Sequence, residues 1–461
     1  MDDAALDREP RAVSAGEAIE DLDEAQRAFA EAYAGVDGAP RTATPERLAR
    51  ARAEIAARGR WEPAELARLL AETFQAPDGH LAFGYGGHAP LRISGGARRR
   101  SFVSTSMIER VDAEGGIWLG NERLLGCAID RRGGALVPTP EGRFVLSVFD
   151  VAHVEPAPVT CQGAGGGQAL LSLRPAQAAR AARAGRRGGN GGARAVELER
   201  HGDVPVLAIR TFDNAAAGEL EALPEIAAEL RRAPAFVVDL RGNGGGNYLF
   251  AERFLLALTS ETMRRLDERE VVSVAAAEGR ANSARRRLRR GDVPPSARPL
   301  FEEHIAALER VAEELRASGA PRSELVTAGA RVRGHAGGPL RGRAVFLVDG
   351  GCASACEMML ALARQLPAVV VAGQSTRGGM AVGEVALFQL PRSGVQVSFG
   401  TRAFRDPLGD FVETRGFLPD VWIDGANPVE QAVGLGERGG PPAGQAVLRG
   451  ARRTARPAGA G

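Results

Sequence analysis

The chain has 461 residues, 44% hydrophobic and 25% charged, a composition typical of a globular protein with room for two or three domains. Its 59 basic and 57 acidic residues leave a formal net charge of +2, so no overall field favours nucleic acid or a membrane surface. All 59 basic residues are arginine, which stays protonated in proteins, and this excludes a side-chain amine as a general base.

The four cysteines, Cys127, Cys161, Cys352 and Cys356, lack the paired spacing of a zinc site. We therefore expect no metal and no cofactor. The N-terminal MDDAALDREP is acidic and lacks the apolar run of a signal peptide, and nowhere do eighteen apolar residues follow one another. These features predict a cytoplasmic protein with free thiols that binds neither nucleic acid nor membrane.

Residues 1–90 are predicted to form an N-terminal helical subdomain. The third helical stretch is followed by PDGH at 77–80 and then by LAFGY, which resembles a strand. His80 is therefore expected at a helix-to-strand corner. The stretches with apolar residues at three- and four-residue spacing are 18–33, 45–57 and 61–74.

Three further regions differ in composition. Residues 91–175 are predicted to be β-rich, because short apolar runs such as RFVLSVF alternate with turn residues. The low-complexity segment 176–195 is interpreted as a linker; its arginines could contact nucleic acid, but a Gly-rich run without aromatics is more often a solvated connector. Residues 435–461 are mostly Gly, Pro, Ala and Arg, which predicts a disordered tail.

Residues 196–434 alternate strands and helices, which predicts a mixed α/β core with a charged helical insertion at about 250–330. In this core the strand AFVVDL ends in RGNGGG, residues 241–246. A Walker loop would need a lysine after the last glycine, and a dinucleotide fingerprint would need glycine at Asn247. Two interpretations remain: a loop whose N–H groups approach a developing oxyanion, or a tight turn with positive φ.

A second buried strand ends in GGCASAC, where Ser354 precedes a predicted helix over 355–366. Ser354 could be an N-cap whose hydroxyl accepts a hydrogen bond from the first helical turn. It could also be a nucleophile on a tight turn, with backbone N–H groups nearby to receive an oxyanion. On this stretch alone, the cap is the commoner role.

Three segments together resemble a known family of serine peptidases. Their order and spacing are similar to the signature segments of C-terminal processing (tail-specific) peptidases and tricorn core proteases, and PDGH resembles the histidine corner of that family. The resemblance implies a crotonase-like or ClpP-like catalytic core of mixed α/β class. The segments are DLRGNGGG (239–246), LVDGGCASACE (347–357) and ETRGFLPDVWI (413–423).

The resemblance also implies roles for individual residues. Ser354 falls on the nucleophile, and His80 and Glu413 resemble the base and the distal glutamate of the tricorn-like branch. The N–H groups that fall on the oxyanion hole belong to Gly244, Gly245, Gly246 and Ala355.

This chain departs from the family pattern at two positions. In the processing branch a lysine base lies in T-x-G-K-G, and here TRGGM at 376–380 has glycine at the lysine position. In the tricorn-like branch a serine precedes the histidine, and here that residue is Gly79. We therefore expect Asp78, or direct contact from Glu413, to orient the His80 ring. From sequence alone, Glu413 could also be a surface carboxylate beside Arg415.

These residues predict a serine endopeptidase that hydrolyses a peptide or protein substrate through an acyl-enzyme. Gly79 and the absence of lysine keep an alternative open, a catalytically weak or inactive relative that binds a peptide or apolar ligand in the same cleft. We find no PDZ-like module, so selection of free C-terminal tails is not expected. The sequence does not indicate an oligomeric state.

Overall fold

A computed structural model describes residues 9–37, 42–85, 91–94, 100–112, 116–125, 127, 134–150, 158–176 and 194–438. Helices and several sheets are interleaved along the chain, which confirms the predicted mixed α/β class. Most of the predicted linker and nearly all of the predicted tail lie outside the described residues, and the domain boundaries stay predictions.

The N-terminal part is helical, as its periodicity predicts. Ser14 begins α1 with a capping box, since its hydroxyl accepts from the Glu17 N–H and its own N–H donates to the Glu17 carboxylate. Thr44 caps α2 through its hydroxyl, which accepts from the Arg47 N–H. The elements are β1 (Val13–Ser14), α1 (Ala15–Ala32), α2 (Pro45–Ala56), β2 (Arg60–Trp61), α3 (Pro63–Thr73) and β3 (Ala82–Tyr85).

The middle part is rich in strands. One sheet has the order β13-β5-β10-β9 and another β12-β11-β8-β7-β6, each with antiparallel pairs. The strands are β4 (Leu91–Ser94), β5 (Arg100–Ser104), β6 (Arg110–Val111), β7 (Ile117–Leu119), β8 (Glu122–Leu125), β9 (Ala135–Pro138), β10 (Phe144–Asp150), β11 (Val159–Gly163), β12 (Gln168–Leu171) and β13 (Leu173–Pro175).

Strands and helices alternate in the C-terminal part. The stretch predicted as a helical insertion contains helices, but it also contains strands β17 to β19. The elements are β14 (Val196–His201), β15 (Val204–Ile209), α4 (Ala217–Leu220), α5 (Leu223–Leu230), β16 (Ala235–Asp239), α6 (Tyr248–Leu258), β17 (Thr262–Arg264), β18 (Asp267–Val272), α7 (Val274–Arg289), α8 (Arg298–Ser318), β19 (Ser323–Thr327), β20 (Arg331–Arg333), β21 (Arg343–Val348), α9 (Ala355–Ala363), β22 (Val369–Gly373), β23 (Val382–Gln389), β24 (Gln396–Arg405), β25 (Val421–Trp422) and α10 (Pro428–Glu437).

The central sheet has the order β14-β15-β16-β21-β22-β25, and all pairs after β14/β15 are parallel. Apart from the edge strand β14, its strands are apolar on both faces because helices α5, α6 and α9 cover one face and α10 the other. The carboxyl ends of β16, β21 and β22 lie side by side, and ligands of such sheets bind at that edge.

A second sheet carries the histidine corner. It has the order β19-β18-β24-β3-β4, with β23 also paired to β24. Helices α1 and α3 share an apolar core with this sheet, in which the Phe29 and Phe399 ring centroids are 4.6 Å apart. Since β3 pairs with β24, the turn before β3 is held against the C-terminal part of the chain.

The expectation of free thiols is wrong. Cys127 pairs with Cys161 in the β-rich part, and Cys352 pairs with Cys356 across the turn that carries Ser354. The Cys352 and Cys356 Cα atoms, on either side of Ser354, are 5.4 Å apart. Within the described part of the chain, no helix is long and apolar enough to cross a membrane.

Candidate active site

Ser354 lies between β21 and α9 in a backbone conformation that differs from an ordinary cap. Its φ is +55° and its ψ is −120°, whereas N-cap residues usually have extended backbone. Positive φ is uncommon for residues other than glycine and is found at functional turns held by their surroundings. Ser354 is half-buried, so its side chain keeps access to solvent. These features favour the interpretation of Ser354 as a nucleophile on a tight turn.

Glu357, in the first turn of α9, holds the Ser354 turn from inside. Its fully buried carboxylate accepts hydrogen bonds from the Ser354 N–H at 3.1 Å and the Thr376 hydroxyl at 2.6 Å. It also accepts from the Gly378 and Gly379 N–H groups at 2.7 and 2.8 Å. Burial raises the pKa of the Glu357 carboxyl, although these four hydrogen bonds oppose the rise. Glu357 thus joins the Ser354 turn to the loop that follows β22.

The glycine loop after β16 packs directly on the Ser354 turn. A Cβ atom at Gly245, where φ is +94°, would lie 2.8 Å from the Ser354 Cβ and 2.9 Å from the Ala355 nitrogen. Only glycine fits at this position. The Asp349 carboxylate accepts from the Gly242 and Gly351 N–H groups, both at 2.8 Å, and so ties the two turns together.

The predicted oxyanion donors are not equivalent. The Gly245 N–H already donates to the Asn243 side-chain oxygen at 2.9 Å. The N–H groups of Gly244, Gly246 and Ala355 donate to no acceptor within the described residues. Ala355 is the first residue of α9, where N–H groups have no partner inside the helix and favour negative charge.

His80 lies at the corner between α3 and β3, as the sequence predicts. Its N–H donates to Asp78 Oδ1 at 2.7 Å, and the Gly400 N–H donates to Asp78 Oδ2 at 3.3 Å. The His80 side chain is 21% exposed, yet its Nδ1 atom is buried and has no hydrogen-bond partner. Asp78 Oδ1 is 3.7 Å from this Nδ1 atom.

Glu413 is buried, so the interpretation as a surface carboxylate is wrong. Its two oxygens accept from the Gly79 N–H and the Ala381 N–H, both at 2.8 Å. Burial, and next the negative charge of Asp78, raise the pKa of Glu413 well above its ordinary value. The following residue, Thr414, has a φ of +68°.

These elements meet around one point. A Cβ atom on Gly79 would lie 3.0 Å from the Gly379 Cα, and Gly379 is bound to Glu357, which is bound to Ser354. The structure thus brings the Ser354 turn, the His80 corner and Glu413 together. Within the described residues, no hydrogen bond joins Ser354 to His80 or Glu413 to the imidazole. In this same part of the chain, no group of three or more His, Cys, Asp or Glu is arranged to hold a metal ion.

The sequence interpretation missed the structural roles of Glu357, Thr376 and Asp349. A glutamate three residues after a helix-initiating serine is a recognisable capping signature, and it could have indicated Glu357. Asp349, at the carboxyl end of β21, faces the neighbouring loop, which only the strand order reveals.

The family model for peptidase family S41 matches residues 203–423. Among solved structures, the chain is similar to mature CPAF complexed with lactacystin (13% identity, 91% of this chain and 96% of that chain covered, TM-score 0.46). It is also similar to the photosystem II D1 C-terminal processing protease (14% identity, 88% and 93% covered, TM-score 0.39). A third similar structure is the tricorn protease (13% identity, 95% and 37% covered, TM-score 0.35). No curated protein sequence matches the chain.

Proposed function

We propose that the chain is a serine-type peptidase of family S41, in which Ser354 attacks the substrate, His80 moves the proton and Glu413 holds the corner that bears His80. The substrate class is a peptide or a protein, and the reaction is endoproteolytic. The observation that carries the assignment is the Ser354 turn, where a serine with positive φ lies beside donor N–H groups and a glycine loop.

In the first step the Ser354 Oγ attacks the scissile carbonyl carbon while the His80 imidazole takes the hydroxyl proton. The carbonyl π electrons move to oxygen, and the N–H groups of Ala355 and the glycine loop stabilise that oxyanion. When the intermediate collapses, the C–N bond breaks and the imidazolium gives its proton to the leaving amine. Water then attacks the Ser354 ester by the same route, which releases the acid and restores the hydroxyl.

The contacts of Glu413 support a role in holding the corner that bears His80. Its carboxyl is bound to the Gly79 N–H, one residue before His80, and to the Ala381 N–H on the opposite loop. The backbone N–H of Gly79 thus links the histidine corner to Glu413 without a side chain at position 79. The departure at Gly79 is therefore compatible with an active site.

The two disulfides bear on the cellular setting. A cytoplasmic location remains a prediction from the sequence, and two disulfides are the arrangement expected in an oxidising compartment. The formal net charge of +2 produces no overall field that would attract nucleic acid or a membrane surface, so we expect neither as a partner.

Ser354→Ala tests the proposal. We expect peptide cleavage to fall by several orders of magnitude and covalent labelling by a fluorophosphonate to disappear, because the nucleophile is gone. Mass spectrometry of the wild-type adduct should locate the label on Ser354.

Ser273→Ala is the matched control. Ser273 also begins a helix, and its hydroxyl accepts from the Ala276 N–H at 3.0 Å. Loss of this cap should cost about 1 kcal/mol of stability and leave labelling unchanged. A Ser354→Ala enzyme with full activity, or a label on another residue, would overturn the assignment.

A further inference from the structure

We infer that Asp78, and not Glu413, is the positioning carboxylate that holds the His80 imidazole and faces its positive charge during the reaction. This inference rests on the proposed function, in which His80 accepts the Ser354 proton. It gives a role to Asp78, which lies on the same turn as His80. The family resemblance assigns no role to this residue.

The contacts of the imidazole lead to Asp78. The His80 Nδ1 atom is buried without a hydrogen-bond partner, and the Asp78 Oδ1 atom is 3.7 Å away. This separation is longer than a hydrogen bond, but such contacts are often long in the free enzyme and shorten when substrate binds. Asp78 itself is fully buried and cannot turn towards solvent.

The Asp78 carboxylate is also fixed from two sides. Oδ1 accepts the His80 N–H at 2.7 Å, and Oδ2 accepts the Gly400 N–H of β24 at 3.3 Å. The Ser398 hydroxyl donates to the His80 carbonyl oxygen at 3.3 Å, so β24 holds the same turn again. The Asp78 side chain, which faces the imidazole, is thus held in place by β24.

Glu413 is engaged elsewhere. Each of its oxygens accepts a backbone N–H at 2.8 Å, one from Gly79 and one from Ala381. Its high pKa, caused by burial and next by the charge of Asp78, favours the neutral acid, which gives an imidazolium little charge stabilisation. Glu413 is therefore poorly suited to face an imidazolium at His80.

Other ionisable groups around the corner do not change this conclusion. Burial, and next the charges of Asp78 and Glu413, raise the pKa of Tyr33, so its phenol stays neutral. Glu357 lies beyond the Gly378–Gly379 segment, and its carboxylate is occupied by four donors. Asp78 is therefore the carboxylate that lies beside an imidazolium at His80.

The experiment compares Asp78→Asn with Glu413→Gln in complete pH profiles of kcat and kcat/KM. In Asp78→Asn the side chain keeps its size and still accepts the His80 N–H, but the negative charge is lost. The acid limb of kcat/KM should move about one to three pH units lower, since the imidazolium loses an opposite charge at close range. The value of kcat should fall roughly 10- to 100-fold, with KM changing less than threefold.

Glu413→Gln should leave the acid limb in place and change only the rate. Asp21→Asn is the matched control, because Asp21 is equally buried and its carboxylate also accepts two backbone N–H groups, at 2.9 and 2.8 Å. Since Asp21 lies on α1 away from His80, this variant should keep the wild-type profile even if it lowers Tm.

Several outcomes overturn the inference. One is an acid limb that moves in Glu413→Gln and not in Asp78→Asn, and another is an unmoved limb in both. A third is a lower Tm for Asp78→Asn with an unchanged kcat per labelled active site, which would mean a purely structural role. If Asp78→Asn does not fold, the Glu413→Gln profile decides, because a displaced limb contradicts the inference and an unmoved limb supports it.

Failure of the proposed function would give a different result from failure of the Asp78 inference. In that case Ser354→Ala or His80→Ala would keep wild-type turnover, whatever the behaviour of the Asp78 variant. Both variants therefore belong in the same series.

Discussion

At the scale of single residues, the site depends on buried carboxylates that bind backbone N–H groups. Glu357, Asp349, Asp78 and Glu413 each join two segments of the chain that are distant in sequence. Burying a carboxyl group is costly unless it receives hydrogen bonds, and each of the four receives at least two. Such groups hold the loops in place before substrate arrives, which is what catalysis by fixed donors requires.

The first prediction at this scale concerns the pH dependence of stability. The pKa of Glu413 is raised in the folded protein, so its contribution to stability is complete below its unfolded pKa and is lost as pH rises through the folded value. A glutamine does not titrate. We therefore expect the stability of wild type minus that of Glu413→Gln to decrease as pH rises from about 4.5.

Urea unfolding of both proteins between pH 4 and pH 9 measures this difference. Glu225→Gln, an exposed change on α5, is the control. A difference that grows with pH would show that Glu413 is ionised and stabilising in the folded state, contrary to the arrangement described above.

At the scale of elements, the turn between β21 and α9 is closed by the Cys352–Cys356 disulfide, which surrounds Ser354. Both cysteines are fully buried, and the Cys352 carbonyl oxygen accepts the Arg377 N–H at 2.9 Å. The disulfide therefore closes the turn that carries Ser354, and the Cys352 carbonyl oxygen joins that turn to the loop bound by Glu357. A second disulfide, Cys127–Cys161, lies in the β-rich part, where none of the proposed site residues is found.

We predict that loss of the Cys352–Cys356 disulfide lowers both stability and activity, whereas loss of the Cys127–Cys161 disulfide lowers stability alone. Loss of Cys352–Cys356 by a double serine substitution should cost about 2 kcal/mol, because the closed loop is short. It should also lower kcat about tenfold or more, because the Ser354 turn loses a constraint. Loss of Cys127–Cys161, 34 residues apart, should cost about 4 kcal/mol and leave kcat unchanged.

Chemical denaturation and steady-state kinetics on the two double variants test this pair of expectations. Equal kcat values in wild type and the Cys352/Cys356 variant would mean that the hydrogen bonds of Glu357 alone define the turn. A lower kcat in the Cys127/Cys161 variant would mean that the β-rich part communicates with the site.

At the scale of the whole molecule, the proposed base and nucleophile come from opposite ends of the chain. The family model covers 203–423 and does not include His80. The N-terminal helices reach the site because α1 and α3 share a core with β23 and β24. The Asp21 carboxylate on α1 also accepts the Arg392 and Ser393 N–H groups between those strands.

We therefore predict that α1 to α3 unfold together with the β23–β24 hairpin. Hydrogen exchange at increasing urea should show one opening free energy for both regions. Phe399→Ala should lower that value by about 3–5 kcal/mol in both, because the ring is fully buried between them. Leu124→Ala, a buried change in the β-rich part, is the control that should leave both regions protected. Separate loss of protection in α1 to α3 would contradict a shared core.

Much of the candidate site was predictable from local patterns. The two strand–glycine–helix stretches, the helix-to-strand corner at His80 and Ser354 at the start of α9 all depend on periodicity and turn residues close in sequence. The α10 helix shows the limit of this approach. It extends to Glu437, past the predicted start of the tail at 435, and Leu435 is buried because it packs on the central sheet.

The sequence by itself determined the mixed α/β class, the resemblance to serine peptidases and the identity of the groups proposed for the chemistry. Only the tertiary structure decided which of those groups touch. Glu413 accepts the Gly79 N–H across 334 residues, and Asp349 accepts the Gly242 N–H across 107 residues. Local propensity cannot encode such contacts, because they depend on strand order and on loops meeting at one edge of a sheet.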